Sequence, residues 1–311
     1  MTRARLIVNP SSGRERGVEQ IKSMNDRLRS RFQTLEIVLT TGDGDAEEAG
    51  RIAAGDGCRY LFVAGGDGTL NEVLNGVMAA GALDRTTFGV VPLGTGNDFA
   101  AALDIPTSID DAIDVLLRDR ALPVDVGEVN GRGFVNISGG GFIAEVSLAV
   151  SPELKTVAGR LAYIIGSAQV LLEYEPVRAT VALEPGGERI GLRLHAFAVC
   201  NSRLIGGGRL IAPEAIIDDG LLDVCLIEAM GALEFVALAR KVSEGSHVSD
   251  PRVRYYRASQ VRIEFDREVP VNTDGELLTA RRCEYVVRPR AATFLMGDAS
   301  AFMAGSRSSP A

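Results

Sequence analysis

The first 120 residues alternate short apolar segments with segments of helical periodicity. This alternation is typical of βα units that build a mostly parallel sheet. Two of the apolar runs lead directly into glycine-rich turns followed by helical segments, and after the first of these turns apolar residues recur at i, i+3, i+4 and i+7 spacing, at positions 70, 73, 74 and 77. The predicted strands are 6–9, 35–40, 60–64 and 88–92, and the predicted helices are 17–32, 46–54 and 110–117.

From residue 123 onward the pattern changes, and strands outnumber helices. Alternating apolar and polar positions separated by turn residues are typical of an antiparallel β-sandwich. Two segments of helical periodicity, 154–172 and 232–242, interrupt the strands and are expected to pack on the sheets as surface helices, with contact to a membrane as the alternative. The predicted strands are 124–129, 133–138, 178–183, 192–200, 221–227, 260–265 and 282–287.

These two patterns of apolar and polar positions predict an α/β protein with two domains. The first, 1–122, is a mostly parallel α/β nucleotide-binding domain, with the segment 289–303 as a candidate to complete it. The second, 123–288, is the antiparallel β-sandwich. The serine-rich tail 304–311 is expected to be disordered.

Composition and charge narrow the class of protein. Of 311 residues, 46% are apolar, so each half can bury its own core. The net charge of −8 argues against a dedicated nucleic-acid binder, whose binding domain would be basic. The four cysteines, at positions 58, 200, 225 and 283, have no metal-binding spacing. The longest apolar stretch, 157–174, contains Arg160 and Gln169 and is too short to cross a bilayer.

The 35 glycines concentrate in turns that follow predicted strands. The turn Gly65-Gly66-Asp67-Gly68-Thr69 lies between a strand and a helix, where backbone N–H groups and the helix dipole favour a phosphate. Thr69 is a candidate helix cap or phosphate ligand, and Asp67 is a candidate ligand for a metal or its water. The alternative is a purely structural Asp-Gly turn.

A second turn with the same surroundings, Leu93-Gly94-Thr95-Gly96-Asn97-Asp98, follows the next strand. Because ligands bind outside the carboxyl ends of parallel strands, two such turns predict one nucleotide between them. The first strand also ends in a turn of small polar residues, Asn9-Pro10-Ser11-Ser12-Gly13. The chain has neither a G-x-x-x-x-G-K-[ST] loop nor a G-x-G-x-x-G turn between a strand and a helix.

These motifs, in this order, resemble the diacylglycerol kinase catalytic domain of bacterial lipid kinases, which is related to sphingosine and ceramide kinases. The resemblance covers residues 5–296. Its N-terminal motifs are Asn9-Pro-Ser-Ser-Gly13, Gly65-Gly-Asp-Gly-Thr-Leu-Asn-Glu-Val73 and Pro92-Leu-Gly-Thr-Gly-Asn-Asp-Phe-Ala100. It continues through 138–146, Asn201, 206–208, 212–213, 218–223 and Asp274-Gly-Glu276.

The resemblance implies an ATP- and Mg²⁺-dependent kinase that phosphorylates a lipid hydroxyl at the membrane surface. The acceptor could be diacylglycerol-like, phosphatidylglycerol or sphingoid. By position, Glu276 is the implied catalytic base and Asp67 its partner at the phosphates or Mg²⁺, with Asp125 a weaker acidic candidate. A plain hairpin turn at Asp274-Gly275 is the alternative role for that segment. The implied ATP contacts are Asn9, Thr40, Gly65, Gly66, Asp67, Gly68, Thr69, Leu70, Asn71 and Thr95.

The resemblance also implies a structural Mg²⁺ site on Asp219 and the backbone carbonyls of Ile216 and Leu221. Adjacent Asp218 leaves the choice of carboxylate open, and a plain Asp-Gly turn remains the alternative. Two other functions compete with the lipid kinase: an NAD kinase-like phosphotransferase and a non-catalytic nucleotide-binding regulator. The implied location is cytoplasmic, with peripheral association at the inner face of the membrane and no nucleic-acid partner. A homodimer is left open.

Overall fold

The computed structural model describes residues 3–12, 18–32, 34–149, 174–187, 189–298 and 302–303. In the first half, parallel strands alternate with helices in the sheet order β2-β1-β3-β4, as the hydrophobic pattern predicts. A 3-10 turn at Leu83–Arg85 precedes β4. The elements are β1 Arg3–Val8, α1 Val18–Arg29, β2 Thr34–Leu39, α2 Asp45–Gly55, β3 Tyr60–Gly65, α3 Asp67–Ala79, β4 Thr87–Pro92, α4 Asp98–Ala102 and α5 Ile109–Leu117.

Antiparallel strands dominate the second half, as expected for a sandwich. A second 3-10 turn, Ser246–Ser249, follows α7. The predicted helix 154–172 and the tail 304–311 lie outside the described residues. The elements are β5 Ala121–Val129, β6 Arg132–Phe134, β7 Ile137–Gly141, α6 Phe142–Ala149, β8 Val177–Glu184, β9 Arg189–Cys200, β10 Leu204–Ile205, β11 Arg209–Leu210, β12 Leu222–Glu228, α7 Ala232–Glu244, β13 Val253–Ala258, β14 Gln260–Thr273 and β15 Glu276–Leu295.

The 20-residue strand β15 connects the two halves. Its first half pairs with β14, whereas Thr293 and Phe294 pair in parallel with β4 of the first half. The Phe294 ring stacks on Phe88 at 5.0 Å and meets Phe99 edge-on at 5.1 Å between ring centroids, inside the first hydrophobic core. One strand therefore begins at the candidate base, Glu276, and ends in the core beneath the glycine turns.

The second half has two further cores. One is built from inward-facing residues of β8, β9, β12, β14 and β15, and includes Phe197, Ile263 and Tyr285. The other lies on the opposite face of β9 and β12 and is covered by α7 through Phe235 and Leu238. Among the described residues, no helix combines the length and apolarity needed to cross a bilayer.

Candidate active site

The turn between β3 and α3 forms the floor of the candidate site. Apolar positions Leu70, Val73, Leu74 and Val77 bury one face of α3, which fixes the N-terminus of the helix at the end of β3. The first N–H groups of a helix have no acceptor within it, so they are free to bind an anion. The Asn9 amide Nδ2 donates to Thr69 Oγ1 at 3.0 Å, which joins the turn after β1 to this helix start.

The two glycine turns touch through their backbones. A Cβ added at Gly94 would lie 2.7 Å from the Cα of Gly66, closer than real Cβ contacts come. The Asn97 side chain closes the second turn on itself: its Oδ1 accepts the Gly94 N–H at 2.9 Å, and its Nδ2 donates to the Gly94 carbonyl at 2.7 Å. This close approach fits a shared phosphate cradle, because both backbones face the same space.

Asp67 links the first turn to the second. Its carboxylate accepts the backbone N–H groups of Asp98 and Phe99, each at 3.1 Å, and so holds the start of α4. Burial raises the pKa of Asp67, and the nearby charge of Asp98 adds to the rise. Two carboxylates this close favour a shared cation, and oxygen ligands suit Mg²⁺.

Asp98 connects the first half of the chain to the second. Its carboxylate accepts the N–H of Gly207 at 3.1 Å and that of Gly208 at 2.8 Å, although the side chain is only 5% exposed. Gly207 and Gly208 lie in the glycine hairpin, residues 204–210, which comprises β10, β11 and the three glycines between them. In the sequence Asp98 is recognisable only as part of a motif, because its contact with the hairpin spans 109 positions.

The Asp274-Gly275 turn lies against the first glycine turn. A Cβ added at Gly275 would be 3.5 Å from the Cα of Gly68. Asp274 and Gly275 both have positive φ, 49° and 103°, as a two-residue hairpin turn requires, and Thr273 pairs directly with Glu276. Glu276, the candidate base, is thus the first residue after a structural hairpin turn. A structural role for Asp274-Gly275 is therefore compatible with a catalytic role for Glu276.

The two carboxyl groups of this turn have different surroundings. The Asp274 carboxylate is buried and accepts the backbone N–H groups of Val135, Asn136 and Ile137 at 2.8, 3.1 and 2.7 Å. Burial raises its pKa to about 7, whereas the three N–H bonds act in the opposite direction. Glu276 is half-buried and lies near Glu72, whose pKa is raised by burial and then by the charge of Glu276.

The remaining predicted nucleotide contacts surround these turns in different ways. Thr40 is buried at the end of β2, and Thr95 is exposed on the second turn. The side chains of Leu70 and Asn71 face the interior, where Leu70 packs in the core and Asn71 Nδ2 donates to the Gly133 carbonyl at 2.8 Å. Glu72, which the sequence analysis did not single out, accepts the N–H groups of Gly44 and Ala46 at the start of α2.

The predicted structural metal turn lies where the two halves join. Asp219 Oδ1 accepts the Leu221 N–H at 3.1 Å, and its other oxygen forms an ion pair with Arg257. Burial raises the pKa of Asp219, and Asp218 acts in the same direction. The fully buried Asp125 carboxylate accepts the N–H groups of Gly220 and Arg290, each at 2.6 Å.

The donor set at this turn suits a hard cation, because it combines a carboxylate with backbone carbonyls. A cation on Asp219 would compete with Arg257 for the same oxygen. Across the described ranges, no cluster of three or more His, Cys, Asp or Glu side chains has metal-binding geometry. The sequence prediction of Ile216, Asp219 and Leu221 as ligands stays a prediction.

Glycine turns at strand ends, with a hairpin turn of the β-rich second half against them, are the arrangement expected of a two-domain phosphotransferase. Residues 3–129 match the family model of the diacylglycerol kinase catalytic domain. Residues 138–296 match that of the YegS C-terminal NAD kinase beta sandwich-like domain. The two matches follow each other along the chain and together include both glycine turns and the Asp274-Gly275 turn.

Curated relatives agree with these matches. Diacylglycerol kinase of Bacillus subtilis is 35% identical over 277 residues, covering 89% of this chain and 90% of the relative. Diacylglycerol kinase of Staphylococcus carnosus is 34% identical over 274 residues and covers 88% of each chain. The chain therefore belongs to the diacylglycerol kinase family, as the motifs predict.

Solved structures share the fold. One crystal structure from Bacillus anthracis strain Sterne superposes with a TM-score of 0.81 at 26% identity and covers 95% of both chains. Another, of a diacylglycerol kinase from the same strain, has a TM-score of 0.74 at 23% identity, covering 95% of this chain and 97% of the other. The arrangement of α/β domain and sandwich is thus common to all three.

Proposed function

We propose that this protein transfers the γ-phosphoryl group of ATP to the hydroxyl of a lipid. The observation that carries the proposal is the contact between the Asp274-Gly275 turn and Gly68. This contact supports the proposal because Glu276, the candidate base, directly follows Gly275, and Gly68 belongs to the candidate phosphate turn. Phosphoryl transfer to an alcohol needs this pairing of a positioned phosphate and a proton acceptor.

In the proposed reaction, the γ-phosphate of ATP lies on the backbone N–H groups at the start of α3 and faces the second turn at Gly94. Glu276 accepts the proton of the lipid hydroxyl as its oxygen forms the new bond to phosphorus. The bond between that phosphorus and the β-phosphate oxygen breaks, and ADP leaves. Mg²⁺ bound through Asp67 would neutralise charge on the transferred group.

The lipid class is proposed from the family: a diacylglycerol-like, phosphatidylglycerol or sphingoid alcohol. A second acceptor, NAD, has one observation in its favour, because the model matched by residues 138–296 is described as NAD kinase-like. The two acceptors differ in how they are presented, since a lipid arrives in a membrane and NAD in water. The proposed location of the protein at the inner face of the membrane rests only on the proposal that its acceptor is a lipid.

The test measures transfer of labelled γ-phosphate from ATP to a lipid panel in mixed micelles, with NAD in a parallel reaction. We expect labelled lipid, complete dependence on Mg²⁺, and a loss of turnover of about 10²–10⁴-fold in Glu276→Gln. Glu268→Gln, which changes an exposed carboxylate on β14, is the matched control and should keep full activity. Labelling of NAD without labelling of any lipid would reject the proposal.

A further inference from the structure

An exposed apolar face on α7 adjoins two arginines whose guanidinium groups have no partner among the described residues. Leu233 is 87% exposed and Val236 is 51% exposed, whereas Phe235 and Leu238 on the other face are buried in the core. Large apolar side chains exposed next to each other on one helix face can mark a surface that meets another apolar phase. Arg240, one turn beyond Val236, is exposed on the same helix.

The arginines lie on the strands next to the start of this helix. Arg178 of β8 and Arg193 of β9 are directly paired across the two strands, and both are exposed. Neither guanidinium group forms a hydrogen bond or an ion pair with any residue that the structure describes. Like charges at directly opposed positions destabilise a sheet, so this pair is stabilised when an anion lies between the two guanidinium groups.

A groove of about 600 Å³ runs along these arginines. Its far side is formed by Glu264 and Asp266 of β14, and Glu264 already faces Arg282 at 4.0 Å. The groove therefore has a basic side toward α7 and an acidic side away from it. An anionic surface approaching from the α7 side meets the basic side first.

Backbone contacts place the two features side by side. The N–H of Ala229, just before α7, donates to the carbonyl of Arg193 at 2.7 Å. The next N–H, that of Met230, donates to His195 Nδ1 at 3.1 Å, and the His195 ring stacks on Phe235 at 4.8 Å. The first turn of α7, which carries Leu233, is thus fixed above the strand that carries Arg193.

We propose that Leu233, Val236, Arg178, Arg193 and Arg240 form the surface that docks on an anionic lipid bilayer. Apolar side chains enter the headgroup boundary, and the arginines bind lipid phosphates, as in helices that lie in a membrane interface. The proposal rests on the proposed lipid kinase function, which needs access to a bilayer. It names a surface of the second half of the chain that would provide this access.

The position relative to the site agrees with this role. Phe142, at the end of β7, contacts Phe235 of α7 at 5.0 Å between ring centroids. Ile137, at the other end of β7, donates its N–H to Asp274. Five residues of strand separate the two contacts, on the order of 16 Å. A docked α7 therefore lies one strand length from the turn that carries Glu276.

The test is sedimentation of the full chain with vesicles of phosphatidylcholine alone or mixed with phosphatidylglycerol. Leu233→Gln/Val236→Gln should weaken binding to both vesicles, by about tenfold for each apolar side chain removed. Arg178→Gln/Arg193→Gln should weaken binding to the anionic vesicles only, by about fivefold for each arginine. Ile52→Gln, which changes a 44% exposed apolar residue on α2, is the control and should bind like the wild type.

Activity separates this proposal from the proposed function. Both double variants should phosphorylate a short-chain, water-soluble diacylglycerol at the wild-type rate and lose activity only on vesicles. Wild-type binding of both variants to vesicles, in a protein that phosphorylates detergent-dispersed lipid, would overturn the docking surface alone. A change in oligomeric state with unchanged vesicle binding would overturn it too, and would assign this face to contact between two copies of the chain.

Discussion

Asp274 is expected to support the fold, whereas Glu276, two residues later, supports turnover. The Asp274 side chain is 5% exposed and accepts three backbone N–H groups, all of buried residues. In Asp274→Ala these N–H groups lose their acceptor without gaining water. Each buried N–H group without an acceptor costs about 1–3 kcal/mol. With three such groups, the free energy of unfolding should fall by about 3–9 kcal/mol.

This loss is large against the total, because domains are stable by about 5–15 kcal/mol. Urea unfolding followed by far-ultraviolet circular dichroism suits the measurement, since the chain has no tryptophan. Glu276→Ala is the matched control from the same turn. Its half-buried side chain should change the free energy of unfolding by no more than about 0.5 kcal/mol, while turnover is lost.

The comparison has a clear adverse outcome. An Asp274→Ala variant within about 1 kcal/mol of the wild type would mean that the three N–H groups find other acceptors, and the structural role would be refuted. Asp274→Asn keeps one acceptor oxygen, so its free energy of unfolding should lie between that of the wild type and that of Asp274→Ala. An active, stable Glu276→Ala would instead remove Glu276 as the base and leave the Asp274 argument intact.

Three further predictions test the site and its surroundings. Gly94→Ala should force the second turn away from Gly66 and raise the Kd for ATP, measured by titration calorimetry, at least about tenfold. Gly42→Ala is the control, because a Cβ at Gly42 has open space, and it should leave this Kd unchanged. Asp98→Asn should weaken the hydrogen bonds to the glycine hairpin and lower kcat about tenfold. Thermal unfolding should change little, because the hairpin glycines are exposed. A kcat equal to that of the wild type would contradict this prediction. Burial lowers the pKa of His247, so below about pH 6.5 the unfolded chain takes up a proton that the folded chain does not, and stability falls as pH falls. His247→Gln should flatten this loss in denaturation curves between pH 5 and about 6.5, and an unchanged slope would exclude His247 as its source.

Local patterns along the chain were sufficient to predict the order of strands, turns and helices in the first half. Around Gly65 and around Gly94, the strand, the turn and the start of the helix are encoded within about a dozen consecutive residues. Strand and helix periodicities and turn residues act over that range. The fold class followed from the same patterns. The limits of the two domains, and the roles of the individual site residues, stay predictions.

Long strands were predicted less well than short ones. The sequence analysis expected strands at 260–265 and 282–287, but β14 runs to Thr273 and β15 begins at Glu276. The added residues include Asp266, Arg267 and Glu268, which interrupt the apolar alternation. They lie in an irregularity of β14 between the pairs Glu264–Arg282 and Val269–Ala280, and the pairing on both sides keeps β14 a single strand. A pattern read from one segment does not contain this pairing.

The sequence by itself determined which segments could bind phosphate and which acidic residues could take part in catalysis. Only the tertiary structure decided which of them meet: Gly68 with Gly275, Asp98 with the glycine hairpin, and Asp274 with the backbone of 135–137. These contacts join positions more than 100 residues apart, and those of the two aspartates form through backbone N–H groups that every residue type except proline possesses. Residue identity therefore marks the acceptor carboxylate or the glycine, whereas the pairing of strands selects its partner.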